Sequence, residues 1–427
     1  MARRALQKLS AWLAHPDLPW ATVCLVALAF GAWLRARDLG SPRVMSFDEH
    51  HFVVNARRYL EHASDLNDHP PLGKLVFGVA MRWLGDEPKG WRFAPLCFGY
   101  ANVILVGLLS HWATGRKSAF YIGAFLAALD GFLISYSRCA LLDGMLTALC
   151  LASAWVALRA RSPLGTLLSA LVVGSACAIK FSAVVLIPLL FVVALLRRRW
   201  FGALGFLLIV PAVYTAWFAL GLSIARQPHD VIAVWAETKR LYLHHAALTD
   251  WKHPLLSHWY EWFLPKRPLP LRFEPLGDGR FRVLTSLGNP LLWWMVDAAV
   301  AFTLVHGLVA SALWLVRKKA AFGATLAGLL ERPGVRRFVL FCLWCGPVAP
   351  WLISRRDSYI YHYLPAYAAG ITLVAALIDT LRERARLPAF VLLLVLGQVS
   401  FYYAPVWGQL PISREGFHDR LFIERWR

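Results

Sequence analysis

Eleven apolar runs, each near the length a helix needs to cross a bilayer, dominate this sequence. They lie near 19–36, 91–112, 118–136, 139–159, 164–180, 182–197, 201–221, 289–316, 337–353, 361–381 and 388–404. Roughly 20 apolar residues in a helix span the hydrocarbon core. A helix also satisfies its own backbone hydrogen bonds where no water can. The chain therefore reads as an all-α polytopic membrane protein with about eleven transmembrane helices, one membrane domain over 1–427. The 58% hydrophobic share of its 427 residues agrees with that class.

The turns between the runs test the count. With Arg3, Arg4 and Lys8 inside, the successive inside turns are Gly115-Arg116-Lys117, Arg159-Ala160-Arg161, Arg197-Arg198-Arg199, Arg317-Lys318-Lys319 through Arg336-Arg337, and Arg382 to Arg386. All are basic, as cytoplasmic loops are. One helix more or fewer in the middle would break the series, so the count is odd and the C-terminal tail lies outside. The formal charge of +20 belongs to these turns. No basic face with interleaved aromatics marks a nucleic-acid binder, and no nucleic-acid partner is expected. Basic Met1 to Lys8 before apolar Ala21 to Trp33 resembles a signal peptide, but further spans follow, so it reads as an uncleaved first helix. Cys342 and Cys345 form a C-x-x-C inside an expected span, where packing explains them; no disulfide framework or zinc pattern appears.

Two outer segments are long, and long connections are usually functional. The first, 37–90, carries an amphipathic stretch, Leu72 to Leu84, of the kind that lies in the membrane interface. The second, 222–288, carries Leu271 to Leu276 and Arg280 to Thr285 around Gly277-Asp278-Gly279, the pattern of a hairpin. A four-helix membrane part, 289–427, completes the chain.

The outer helix ends break the charge rule. Asp48-Glu49 lies in the first outer segment, followed by Asp68-His69-Pro70-Pro71-Leu72-Gly73-Lys74. Arg92 opens the second span, Arg138 and Asp143 open the fourth, Lys180 closes the fifth, and Arg355, Arg356 and His362 sit between the ninth and tenth. Parity puts all of them on one side. Ionisable groups near the membrane are costly and tend to mark substrate pathways. Guanidinium forks and free N–H groups at helix starts suit a phosphate, and at membrane depth that means a lipid-borne one. For any single residue the alternative is a snorkelling side chain or an ion pair. Asp48 and Glu49 are the candidates for base chemistry: a hydroxyl acceptor must lose its proton as a sugar–phosphate bond breaks. Neighbouring side chains diverge, so one serves as base and the other orients an Arg or the acceptor. The alternative is a solvated pair or a helix cap. Asp130, inside the third span beside Gly131, needs a partner. His244, His245, His253 and His258 fit no standard zinc spacing, and no metal is expected.

These residues, in this order, resemble the protein O-mannosyltransferase family of the GT-C architecture. The resemblance runs through most of the chain: Phe47-Asp48-Glu49 with His51-Phe52; His69 to Lys74; Trp91-Arg92-Phe93-Ala94-Pro95; Asp130-Gly131; Ser137-Arg138 and Leu141-Leu142-Asp143; Gly174 to Lys180 with Phe181; His244-His245-Ala246, His253-Pro254, Ser257 and Trp259 to Trp262; Leu287 to Trp294; and Tyr361 to Ala366. It implies a GT-C fold of eleven spans and inverting transfer of mannose from a polyprenyl (dolichol-type) phosphate to Ser or Thr hydroxyls of exported polypeptides. It places the site on the outer face of the plasma (inner) membrane and requires no cofactor or metal. By motif position Asp48 is the acceptor-side base, Glu49 its helper and Arg92 the lipid-phosphate ligand. Arg138, Lys180, His362, Asp143, His69 and Lys74 complete the donor site. The 222–288 segment is too short for the trefoil (MIR) domain of many eukaryotic members, which points to a bacterial-type member. Transfer of another sugar to a lipid or glycan acceptor, and transport, remain as alternatives.

Overall fold

The computed structural model describes residues 12, 15–64, 68–249, 253–316, 328, 330–356, 358–423 and 426. Of the basic inside segments, Arg3, Arg4, Lys8 and Arg317 to Lys319 lie outside the described residues.

Every expected span is helical. The first half contains α1 (Leu18–Ala36), α2 (Glu49–Leu60), α3 (Leu72–Leu84), α4 (Pro88–Thr114), α5 (Lys117–Ala128), α6 (Gly131–Tyr136), α7 (Leu142–Arg159), α8 (Pro163–Cys177), a 3-10 turn at Phe181–Leu186, α9 (Ile187–Leu196) and α10 (Trp200–Ile224). Then come α11 (Val231–Ala247), β1 (Pro270–Pro275), β2 (Phe281–Thr285), α12 (Pro290–Val316), α13 (Pro333–Val348), a turn at Ile360–Tyr363, α14 (Leu364–Arg384), α15 (Arg386–Gly408) and α16 (Arg414–His418). Among the described residues eight helices are long and apolar enough to cross a membrane; the expected third, fifth and sixth spans are shorter, at Lys117–Ala128, Pro163–Cys177 and Phe181–Leu196.

Local chemistry sets the boundaries. Pro88 occupies the first turn of α4, where its missing N–H costs nothing, and Gly115 ends that helix with φ of 78°, the left-handed conformation glycine tolerates. The third span is broken at Leu129-Asp130. Asp130 caps α6 by accepting from Leu133 N at 3.0 Å, and its other oxygen accepts from Tyr367 Oη at 2.9 Å and Asn289 N at 3.2 Å. These are the partners that a carboxylate at this depth requires. Gly131 follows because Trp407 lies against it: a Cβ there would fall 1.9 Å from the indole.

The core is arranged around α14, which carries Ala366, Ala368, Ala369, Gly370, Ala375 and Ala376, all buried. Small residues let neighbouring helices approach closely, the usual basis of packing where lipid gives no hydrophobic drive.

The basic turns gather at one end of the bundle. Arg116 pairs with buried Asp379 at 2.6 Å and with Glu383 at 3.0 Å. Arg336 donates to the Trp112 carbonyl at 2.9 Å and Arg197 to the Ala160 carbonyl at 2.6 Å. At the other end, α2, α3, α11 and the antiparallel β1–β2 hairpin build a cap. The hairpin is as expected, with Gly279 at φ of 79° in its turn. Helices α2 and α11 were not foreseen. Asp230 caps α11 by accepting from Ala233 N at 2.9 Å. Val231, Ile232, Trp235, Tyr242 and Leu243 are exposed on α11, which suits a helix lying at headgroup level.

Candidate active site

The acidic motif is one turn with two different carboxylates. Glu49, the first residue of α2, is fully buried and saturated. Its Oε1 accepts from Arg92 Nε at 2.8 Å, Ala140 N at 3.0 Å and Arg272 Nη2 at 3.4 Å; its Oε2 accepts from Arg92 Nη2 and Ser46 N, each at 2.9 Å. Burial alone would raise its pKa, but the Arg92 hydrogen bonds, the nearby Arg272 charge and the Ala140 N–H hold it below the ordinary value. A carboxylate bound this way is a strut, with no lone pair open to a substrate proton.

Arg92 does not meet the expectation of a phosphate ligand. It is fully buried, and besides Glu49 its Nη1 donates to the carbonyls of Leu39, Ser41 and Pro42 at 3.0–3.1 Å and its Nη2 to that of Val44 at 3.2 Å. All three nitrogens are engaged, so none is left for an anion. The physical reason is that α4 begins at Pro88. Arg92 therefore sits inside the helix, under the folded 39–44 segment, rather than at an open helix end. Arg138 is also elsewhere. Its Nη1 donates to the Leu34 and Arg35 carbonyls, capping α1, and its Nη2 to Gln409 Oε1 at 2.9 Å.

Asp48 is the opposite case. It precedes α2 without capping it, and no described group donates a hydrogen bond to its carboxylate. Burial pushes its pKa above the ordinary value; Asp143 adds to the rise, while His51, Lys180 and His253 oppose it. Beside it, Lys180 Nζ meets Asp143 Oδ1 at 2.7 Å and lies 4.7 Å over the ring of Tyr361. Asp143, Tyr361, His362, Ser182 and Trp351 line a narrow cavity of about 20 Å³. The His362 ring packs 4.4 Å from Trp351 and its Nδ1 is 3.1 Å from the Tyr359 carbonyl.

The His69 turn closes the other side. His69 stacks on His245 at 5.2 Å, His245 Nε2 donates to the Asp68 carbonyl, and Lys74 Nζ donates to the His69 carbonyl at 2.7 Å. Lys74 is buried and braces the His69-Pro70-Pro71 bend. Burial, then the charge of Lys180, holds His69 well below its ordinary pKa; burial, then Arg356, brings His245 to about 4. Both imidazoles are thus neutral at pH 7. Arg356 faces the same space, and its buried Nε has no hydrogen-bond partner among the described residues.

Of the residues singled out from the sequence, Asp48, Asp143, Lys180, His69 and His362 converge, with Lys74 behind them. Glu49 and Arg92 form the frame beneath, and Arg138 lies in a separate helix-capping web. Arg272, Gln409, His245 and Arg356 were not singled out as site residues. Arg356 carried a sequence signal, as a basic residue on the outer, disfavoured face, and His245 carried one in the His244-His245-Ala246 block; Arg272 and Gln409 carried none.

Two family models match the chain: one described as dolichyl-phosphate-mannose-protein mannosyltransferase, over 23–92, and one described as the C-terminal four TMM region of protein-O-mannosyltransferase, over 232–426. A polyprenol-phosphate-mannose--protein mannosyltransferase of Mycobacterium tuberculosis is 25% identical, the match covering 91% of this chain and 87% of that protein. One of the same description from Corynebacterium glutamicum is 23% identical over 69% of this chain and 73% of its own length. The solved S. cerevisiae protein O-mannosyltransferase Pmt1-Pmt2 complex bound to the sugar donor matches with a TM-score of 0.78 at 13% identity, covering 99% of this chain and 94% of that one. ArnT from Cupriavidus metallidurans in the apo state matches at 0.57 and 14% identity, over 91% and 65%. At these identities the two structures speak for the fold, and the fold is that of the GT-C glycosyltransferases. The matches to both family models and to the bacterial relatives agree with the ordered motifs, and the chain belongs to the protein O-mannosyltransferase family.

Proposed function

We propose that this protein transfers a mannosyl group from a polyprenyl-phosphate carrier to Ser or Thr hydroxyls of polypeptides. The observation that carries the reading is the Asp48 carboxylate, half-buried, without a hydrogen-bond donor among the described residues, and near Lys180. In the reaction the bond from the anomeric carbon to the phosphate oxygen breaks and one to the acceptor oxygen forms. The acceptor's proton passes to Asp48, and polyprenyl phosphate leaves with the bonding pair. A base on the acceptor side, opposite the leaving phosphate, suits inversion. Lys180 and Arg356 stabilise charge growing on the phosphate, and transfer is proposed to run without a divalent metal. An apolar groove of about 640 Å³ begins beside Lys180, at Phe181, and runs past Ile187, Val210, Tyr214 and Trp235; it supports a carrier with a long hydrocarbon chain.

The basic turns at the other end of the bundle support a site facing outside. One assay tests acceptor and sidedness together. Right-side-out vesicles charged with polyprenyl-phosphate-mannose receive a Ser/Thr-rich peptide from outside, and the peptide is expected to be labelled. Label on a lipid or glycan instead would give the protein to the alternative acceptor class.

Arg356 should hold the carrier rather than drive the chemistry. A hydrogen bond to a charged group contributes about 1.5–3 kcal/mol, so Arg356→Gln is expected to raise the donor KM about 10- to 100-fold with a smaller change in kcat. A normal donor KM would remove it from the site.

A further inference from the structure

The turn that presents Asp48 is strained. Phe47 has φ of 52°, a left-handed conformation that is uncommon for a bulky aromatic. Such a residue persists only where its surroundings over-determine it, and these residues cluster at functional sites. The surroundings here come from two distant parts of the chain. Arg272, on β1, is nearly fully buried. Its Nε donates to Ser46 Oγ at 3.2 Å, beside Phe47, and its Nη2 to Glu49 Oε1 at 3.4 Å and to the Arg138 carbonyl at 3.2 Å. Its Nη1 donates to the Ser41 carbonyl at 3.1 Å and to Gln409 Oε1 at 2.7 Å. Gln409 is the left-handed residue that ends α15, with φ of 53°. Its Oε1 also accepts from Arg138 Nη2 at 2.9 Å. One amide oxygen thus orients two buried guanidinium groups, and one of these grips both sides of the Asp48 turn.

We propose that Arg272 and Gln409 are positioning residues for transfer: they fix the Ser46–Glu49 turn so that the Asp48 carboxylate meets the acceptor hydroxyl in line with the bond being broken. The inference rests on Asp48 being the base. Neither residue touches substrate. Arg272 acts through Ser46 and Glu49, and Gln409 acts through Arg272. Lysine cannot replace Arg272, because a single ammonium cannot reach Ser46, Glu49 and Gln409 in one plane. A misplacement of the order of 1 Å at a reacting group is enough to cost about 100-fold in rate.

The test uses the full-length protein in vesicles with polyprenyl-phosphate-mannose and a Ser/Thr peptide. Arg272→Lys is expected to lower kcat 10-fold or more with the donor KM within a factor of two. Its acid limb of kcat/KM should move to lower pH as the loosened Asp48 gains water. Gln409→Met should show the same split, and Gln409→Glu, which keeps the oxygen acceptor, should recover most of the lost kcat. Loss confined to expression yield or thermal stability, with wild-type kcat and pH profile in the folded fraction, would make the web structural only and overturn the proposal. Asp48→Asn is run alongside. If it keeps normal turnover, the base assignment fails and this inference goes with it; if it is inactive while Arg272→Lys turns over normally, only the positioning role fails.

Discussion

Replacing Asp48 with Asn is expected to lower kcat by about 10²- to 10⁴-fold, the range that general-base catalysis supplies, while carrier binding stays close to wild type. The change is nearly isosteric, and among the described residues the carboxylate accepts no hydrogen bond that the amide would lose. Stability should move the other way. Burial raises the Asp48 pKa in the folded protein, so the folded state holds this proton more tightly than the unfolded one. Above the unfolded value near 4 the ionised group therefore weakens the fold, and Asn removes that cost. A melting temperature equal to or above wild type is expected at pH 7. The same shift places the acid limb of the wild-type kcat/KM profile above the ordinary carboxylate range. An Asp48→Asn protein that is active, or one that is inactive only because it unfolds, would defeat the assignment.

Glu49→Ala should have the contrasting outcome, although the two carboxylates are adjacent. Removing one member of a buried ion pair costs about 3–5 kcal/mol, because the partner charge is left without compensation. Here two guanidinium groups, Arg92 and Arg272, lose their shared carboxylate. Thermal unfolding in detergent should show a large loss of stability, with transfer falling as the Asp48 turn comes apart. The pH dependence also has the opposite sign. The Glu49 pKa lies below its ordinary value in the folded state. Its stabilising contribution is therefore present above the unfolded value near 4.3 and is lost as pH falls through the folded one. A Glu49→Ala protein as stable as wild type would show the ion pair to be dispensable.

What the sequence made legible follows from what is local in it. Apolar runs and basic turns gave the helices and their common ends because both signals act within a few residues. The β1–β2 hairpin was readable from Gly277 to Gly279 for the same reason. Grouping Asp48, Asp143 and Lys180 on one face needed only parity. The roles of the arginines were not readable. Arg92 and Arg356 look alike in sequence, as basic residues near outer helix ends. Only the fold of 39–44 over Arg92 decides that one is saturated by carbonyls, while the other keeps an open Nε. Arg272 is hidden for a stronger reason: its partners lie more than a hundred residues away on both sides, at Glu49, Arg138 and Gln409. The third span looked continuous because nothing local shows that Asn289 and Tyr367 will be there to accommodate the break at Asp130.

The far end of α15 has a bearing on how the molecule is made. The loop bearing Asp48 emerges early in synthesis, whereas Gln409 emerges only after α15 has been made. Until then the two guanidinium groups that share its amide oxygen have no such acceptor, and the strained backbone at Phe47 lacks one of its restraints. A nascent chain thus carries Asp48 and Glu49 across the membrane well before their turn is fully held, and competence waits for the insertion of α15.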